Sequence, residues 1–110
     1  MSAIHYSPEA ENDLAEIKKY IAEQLFSPIA AANTVGKITK RVRQLEIFPE
    51  LGTQLSAVTN IVTDYRFLVC SNYLEFYRTD GDDVRVIRVL YGKRDYVSVL
   101  FDELSADEID

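Results

Sequence analysis

From Pro8 to Leu45 apolar residues recur every three or four positions, and beyond residue 60 the rhythm changes to that of strands. Ala10, Leu14, Ile17, Ile21 and Leu25 fall 4, 3, 4 and 4 residues apart, which lines one face of an α-helix. Val35, Ile38, Val42 and Leu45 follow at 3, 4 and 3, with Lys37, Lys40, Arg41 and Arg43 on other faces. Each stretch opens in the same way. Ser7-Pro8 and Ser27-Pro28 place a capping hydroxyl before a proline whose fixed φ suits the first helical position. Glu9, Glu11 and Asp13 add negative charge near the start of the first helix, where the helix dipole favours it. A short connection between two such helices predicts an antiparallel hairpin. Phe48-Pro49 ends the second, because proline lacks the N–H and disfavours helix just before itself. Glu50-Leu51-Gly52-Thr53 reads as a turn.

Past residue 60, Asn60–Cys70, Tyr73–Thr79 and Val84–Tyr91 are rich in Val, Ile, Phe and Tyr and read as strands. Asp80-Gly81-Asp82 supplies hairpin chemistry between the last two. Ser2–Tyr6 is a further short strand, and Tyr96–Leu104 a final helix or strand. The expected fold is α+β: an N-terminal strand and a two-helix antiparallel hairpin packed on one face of a small antiparallel β-sheet. One domain over residues 1–104 and an acidic tail over 105–110 account for the 110 residues.

Charge changes this picture more than composition does. The net −6 divides into −3 over residues 1–36, +3 over 37–94 and −6 over 95–110. A basic middle between acidic ends allows a local anionic site and disfavours broad wrapping of nucleic acid, which needs many Lys and Arg contacts. The acidic end reads as a solvated tail, or as a shield in which Asp102, Glu103, Asp107 and Glu108 pair with the basic middle. Cys70 is the single cysteine and lies in an apolar run, so no disulfide framework exists, and it reads as core. One cysteine and one histidine, His5, do not make an ordinary zinc site. No Gly-rich phosphate loop is present, so no cofactor and no metal are expected. Polar residues follow Met1 at once and no apolar run approaches the roughly 20 residues of a membrane span, so a cytoplasmic protein without a membrane partner is expected.

Four strings carry a family likeness. Tyr6-Ser7-Pro8-Glu9-Ala10 with Asp13-Leu14 and Ile17, and Phe48-Pro49-Glu50-Leu51-Gly52, resemble the first helix and the corner of RelE/ParE-family toxins, also called plasmid stabilisation proteins. Asn72-Tyr73-Leu74-Glu75-Phe76-Tyr77-Arg78 and Ile87-Arg88-Val89-Leu90-Tyr91-Gly92-Lys93-Arg94-Asp95-Tyr96 are similar to that family's central hairpin and closing strand. The resemblance implies the toxin of a type II toxin–antitoxin pair, silenced by a cognate antitoxin in a hetero-oligomer. It also implies one of two targets. ParE-like members poison DNA gyrase. RelE-like members are ribosome-dependent mRNA endonucleases. An attenuated toxin, kept mainly to bind its antitoxin, is a third reading.

Metal-free RNA cleavage needs a base for the 2′-hydroxyl, an acid for the leaving oxygen and cations for the phosphate. The resemblance puts Arg66 and Arg94 at phosphate-binding positions, with Glu50 or Tyr91 in proton transfer and Arg88 and Lys93 as supplementary phosphate ligands. Each also has a structural reading: Arg66 covering the sheet, Arg88 bracing its strand, Glu50 an exposed turn acid, Tyr91 hairpin packing. Gly52–Thr63 lacks the lysines that RelE-like enzymes carry before the second strand, and Leu100 stands near their late tyrosine, so the gyrase-directed branch is favoured. Val97, Val99, Leu100 and Phe101 give a terminal segment unusual apolar bulk. They either close the core or, with the helical hairpin, receive an antitoxin helix.

Overall fold

A computed structural model describes residues 1–92 and 95–101 of the chain. Lys93, Arg94 and the acidic stretch 102–110 lie outside the described residues. The helical hairpin forms as its caps predict: α1 spans Pro8–Gln24 and α2 spans Pro28–Arg43. Ser7 Oγ accepts from the Ala10 N–H at 3.0 Å, and Ser27 Oγ from the Ala30 N–H at 3.1 Å. No described helix is long and apolar enough to cross a membrane.

The strands are β1 (Ala3–Tyr6), β2 (Thr53–Gln54), β3 (Arg66–Cys70), β4 (Tyr73–Asp80) and β5 (Asp83–Tyr91), in the spatial order β1-β5-β4-β3-β2. The sheet is mixed rather than wholly antiparallel. β1 runs parallel to β5, pairing Ala3–Tyr6 with Asp83–Val86, because α1 and α2 carry the chain across the sheet before it returns. β3 begins at Arg66, not at Asn60. Thr59 and Thr63 hydroxyls accept from the N–H groups of Ile61 and Tyr65, a local alternative to ladder bonds that keeps this stretch irregular. Opposite Phe76 and Tyr77 stand Arg88 and Val86, so Ile87 is the extra residue of a β-bulge.

Both faces of the sheet are covered, where the pattern suggested only one. Leu68, Tyr77, Val84, Val86 and Val89 point at α1 and α2 and pack with Ala10, Ile38, Val42 and Leu45. Alternation sends Phe67, Leu74, Phe76 and Leu90 to the opposite face. There Leu55 and a terminal helical turn, residues 96–101, cover them.

A buried hydroxyl helps to pin the corner after α2. Tyr77 is fully buried and its Oη accepts from the Gly52 N–H at 2.8 Å. A Cβ at Gly52 would lie 2.6 Å from the Tyr77 ring and 2.8 Å from the Phe67 carbonyl, so no side chain fits without movement. Gly52→Ala is expected to cost about 1–3 kcal/mol through overpacking. Tyr77→Phe is expected to cost a similar ~1–3 kcal/mol by orphaning a buried N–H. Urea unfolding of each variant checks both, and unchanged midpoints would contradict this account of the corner.

Candidate functional site: the helical hairpin and the exposed end of the sheet

α1 lies along the free edge of β5 beyond the reach of β1, and Ser7 and Asp13 take up the main-chain groups there. The Ser7 N–H donates to the Val86 carbonyl at 2.9 Å and its hydroxyl to the Ile87 carbonyl at 2.7 Å. Asp13, only 5% exposed, accepts from Arg88 Nε at 2.7 Å, Arg88 Nη2 at 2.8 Å and the Val89 N–H at 3.0 Å. The hydrogen bond to Asp13, above all, raises the Arg88 pKa. This two-pronged pair ties α1 to β5 and occupies the guanidinium that the sequence put forward as a phosphate ligand. Its place near the start of α1 suggests a helix-dipole acid, but burial sets Asp13 apart from Glu9 and Glu11, which are exposed.

Arg66 also acts within the fold. Its Nη1 donates to the Gly52 carbonyl at 2.9 Å and to the Glu50 carbonyl at 3.4 Å. Arg66 and Glu50 therefore meet at the corner, through the main chain of Glu50 rather than its exposed carboxylate. Tyr91 is far from them. It pairs across the ladder with Tyr73, ring centroids 6.0 Å apart, whereas Arg66 pairs with Tyr77. Four residue steps along the strand lead from Tyr73 to Tyr77, roughly 13 Å. Of the proposed chemical set, the described residues bring together only Arg66 and Glu50. Val97, Val99, Leu100 and Phe101 all turn into the cluster on the second face, with Phe101 only 5% exposed and stacked on Tyr65 at 5.6 Å. Lys93 and Arg94 are outside the described residues.

Exposed apolar surface lies at the corner, where Ile47 is 65% and Phe48 62% exposed, and around the helical hairpin. A cleft of about 660 Å³ opens between α1, α2 and the end of the sheet that carries the β3–β4 turn. Ile17, Ile21 and Ile38 form its floor, Tyr20, Tyr73 and Tyr91 its aromatic wall, and Lys37 stands at its rim. Apolar surface continues past it onto the hairpin tip, where Leu25 is 61%, Phe26 89% and Ile29 76% exposed. Phe26 has φ +51°, an uncommon conformation for a bulky residue, in the short link between the helices. Sequence periodicity assigned Leu25 to the buried stripe, but the helix reaches past the sheet before it ends. Burial raises the Tyr73 pKa, with Tyr91 and Tyr20 adding to it. Burial likewise raises that of the Cys70 thiol at the cleft wall, which makes it a poor nucleophile.

An apolar cleft running out to exposed Leu25, Phe26 and Ile29 is the kind of surface at which proteins dock. Residues 4–96 match the profile of the ParE toxin of type II toxin–antitoxin systems, parDE, and the chain belongs to that family. No curated protein sequence matches it. Among solved structures it is similar to a chain of the chromosomal ParDE toxin–antitoxin system from P. aeruginosa, with a TM-score of 0.70 and 20% identity. That likeness spans 83% of this chain and 96% of the other, and it concerns the fold. The protein is thus a type II toxin, and its family implies a cognate antitoxin.

Proposed function

We propose that this toxin arrests growth by binding DNA gyrase, and that its antitoxin silences it by laying an apolar helix in the groove of the α1–α2 hairpin. The observation that carries the docking part is the exposed run Leu25, Phe26 and Ile29 continuing into the tyrosine-walled cleft. A helix with apolar residues at i, i+3, i+4 and i+7 would fill such a groove. Residues 97–101 serve the core in this reading, since a segment already packed on the sheet offers little further apolar area. The toxin acts in the cytoplasm, in a hetero-oligomer with its antitoxin until released.

Family membership supports gyrase as target, and so does the engagement of Arg88 by Asp13. The Asp13 carboxylate offsets the Arg88 charge and takes two of its nitrogens, which disfavours a phosphate there, whereas Arg66 turns only Nη1 to the carbonyls and keeps its other donors. The meeting of Arg66 with Glu50 favours the second reading, a ribosome-dependent mRNA endonuclease using Arg66 and Arg94 with Glu50 or Tyr91. A translation reaction driven by ready-made mRNA separates the two, because gyrase has no part in it. Undiminished translation with intact message is expected. Cleaved message, lost in Arg66→Ala, would establish the nuclease.

A further inference from the structure

Glu75 sits in the central strand β4, opposite Leu68 of β3 and Val89 of β5, on the face that packs against the helices. It is 1% exposed, and neither carboxylate oxygen has a hydrogen-bond partner among the described residues. An ionised carboxylate so placed forfeits hydration without replacement, the costliest way to bury a charge.

The surrounding groups do not supply what is missing. On α2, Arg41 Nε is turned to the Val69 carbonyl at 3.4 Å, and its Nη1 to Gln44 Oε1. Lys37 and Arg43 are exposed on the same helix. From β1 comes Tyr6, whose hydroxyl is pushed up to about 12, by burial first and by Glu75 second. From β3 comes Cys70, raised by burial and then by Glu75. On α1 the buried acid Asp13 is committed to Arg88. Glu75, Tyr6 and Cys70 thus make a group of acids under the helical layer, each of which burial holds towards its neutral form.

We infer that Glu75 is a proton-gated latch: α2 closes on the sheet over a neutral carboxyl and loosens when that carboxyl ionises. Two movements relieve the ionised state, Arg41 leaving Val69 to pair with it or water entering beneath α2. Both disturb the half of α2 that carries Arg41, and α2 is also one wall of the groove. The protonation state of one core residue therefore sets how firmly that wall is held.

Burial lifts Glu75 from its ordinary 4.5 to about 8, against a smaller opposing pull from Arg41. A raised folded-state pKa gives stability that is complete below 4.5, falls as pH rises towards 8, and is flat above. Within that window the opening constant rises about tenfold per pH unit.

Amide exchange at Ile38 and Val42, corrected for intrinsic rates and followed from pH 6 to 9, tests this in the free toxin. Opening should increase about tenfold per unit up to pH 7.5 and level off above 8, and Glu75→Gln should abolish the slope. A flat wild-type profile, or the same slope in Glu75→Gln, overturns the latch. If that variant does not fold, carboxyl-carbon NMR of the wild type decides. A Glu75 midpoint near 8 sustains the proposal, and one in the ordinary carboxylate range ends it.

Discussion

Asp13→Ala is expected to lose about 3–5 kcal/mol of stability, the largest effect of any single substitution considered for this fold. The carboxylate answers three donors at once: two nitrogens of Arg88 and the Val89 N–H. Removing it leaves a largely covered guanidinium and a buried N–H without partners, and it is the orphaned groups that make the loss large. It also releases α1 from the edge of β5, so amides along that edge should lose protection first. The double variant Asp13→Leu with Arg88→Met should be far milder than the sum of the single changes, since no charge is left stranded. Denaturant midpoints of the three variants check this. A cost below about 1 kcal/mol for Asp13→Ala would mean that the pair is no more than an exposed ion pair.

The second large effect is on binding. Tyr20 and Leu25 are 60% and 61% exposed on the rim of the groove, so charge placed there should not disturb the core. Tyr20→Glu with Leu25→Glu is expected to weaken antitoxin binding at least about 100-fold, the scale of a lost interface hot spot. The unfolding free energy should stay within ~0.5 kcal/mol of the parent. Titration calorimetry against the antitoxin reads the first effect, and thermal melts the second. Undiminished affinity would move the antitoxin off the hairpin.

The helix starts and much of the helical core were legible from local signals. Ser7-Pro8 and Ser27-Pro28 fixed both helix starts because capping is decided within four residues. Ile21, Ile38, Val42 and Leu45 were legible as core because their spacing matches the helical period. What depends on distant partners was hidden. Asp13 looked like one more acid of the first turns, and only its pairing with Arg88, 75 residues on, gives it another role. Glu75 stood in a string of family likeness with nothing to mark its burial. The parity of Phe67, Leu74, Phe76 and Leu90 held the clue to a second packed face, obscured by the apolar residues on the first. For Val97, Val99, Leu100 and Phe101, composition allowed either core or interface, and the packing of residues 96–101 on the sheet is a tertiary choice.

Of the residues put forward for chemistry, Arg66, Arg88, Glu50 and Tyr91 were placed correctly on strand or corner, but strand position says nothing of what a guanidinium already holds. The pairing of Arg88 with Asp13, together with membership of the ParE family, supports the proposed gyrase binding over RNA cleavage. The most direct measurement is a gyrase cleavage-complex assay with purified toxin, supercoiled plasmid and ATP, with and without antitoxin. Double-strand breaks that build up with toxin and vanish on adding antitoxin are the expected result. Gyrase that turns over normally in the presence of folded toxin, alongside cleaved mRNA in a translation reaction, would contradict it.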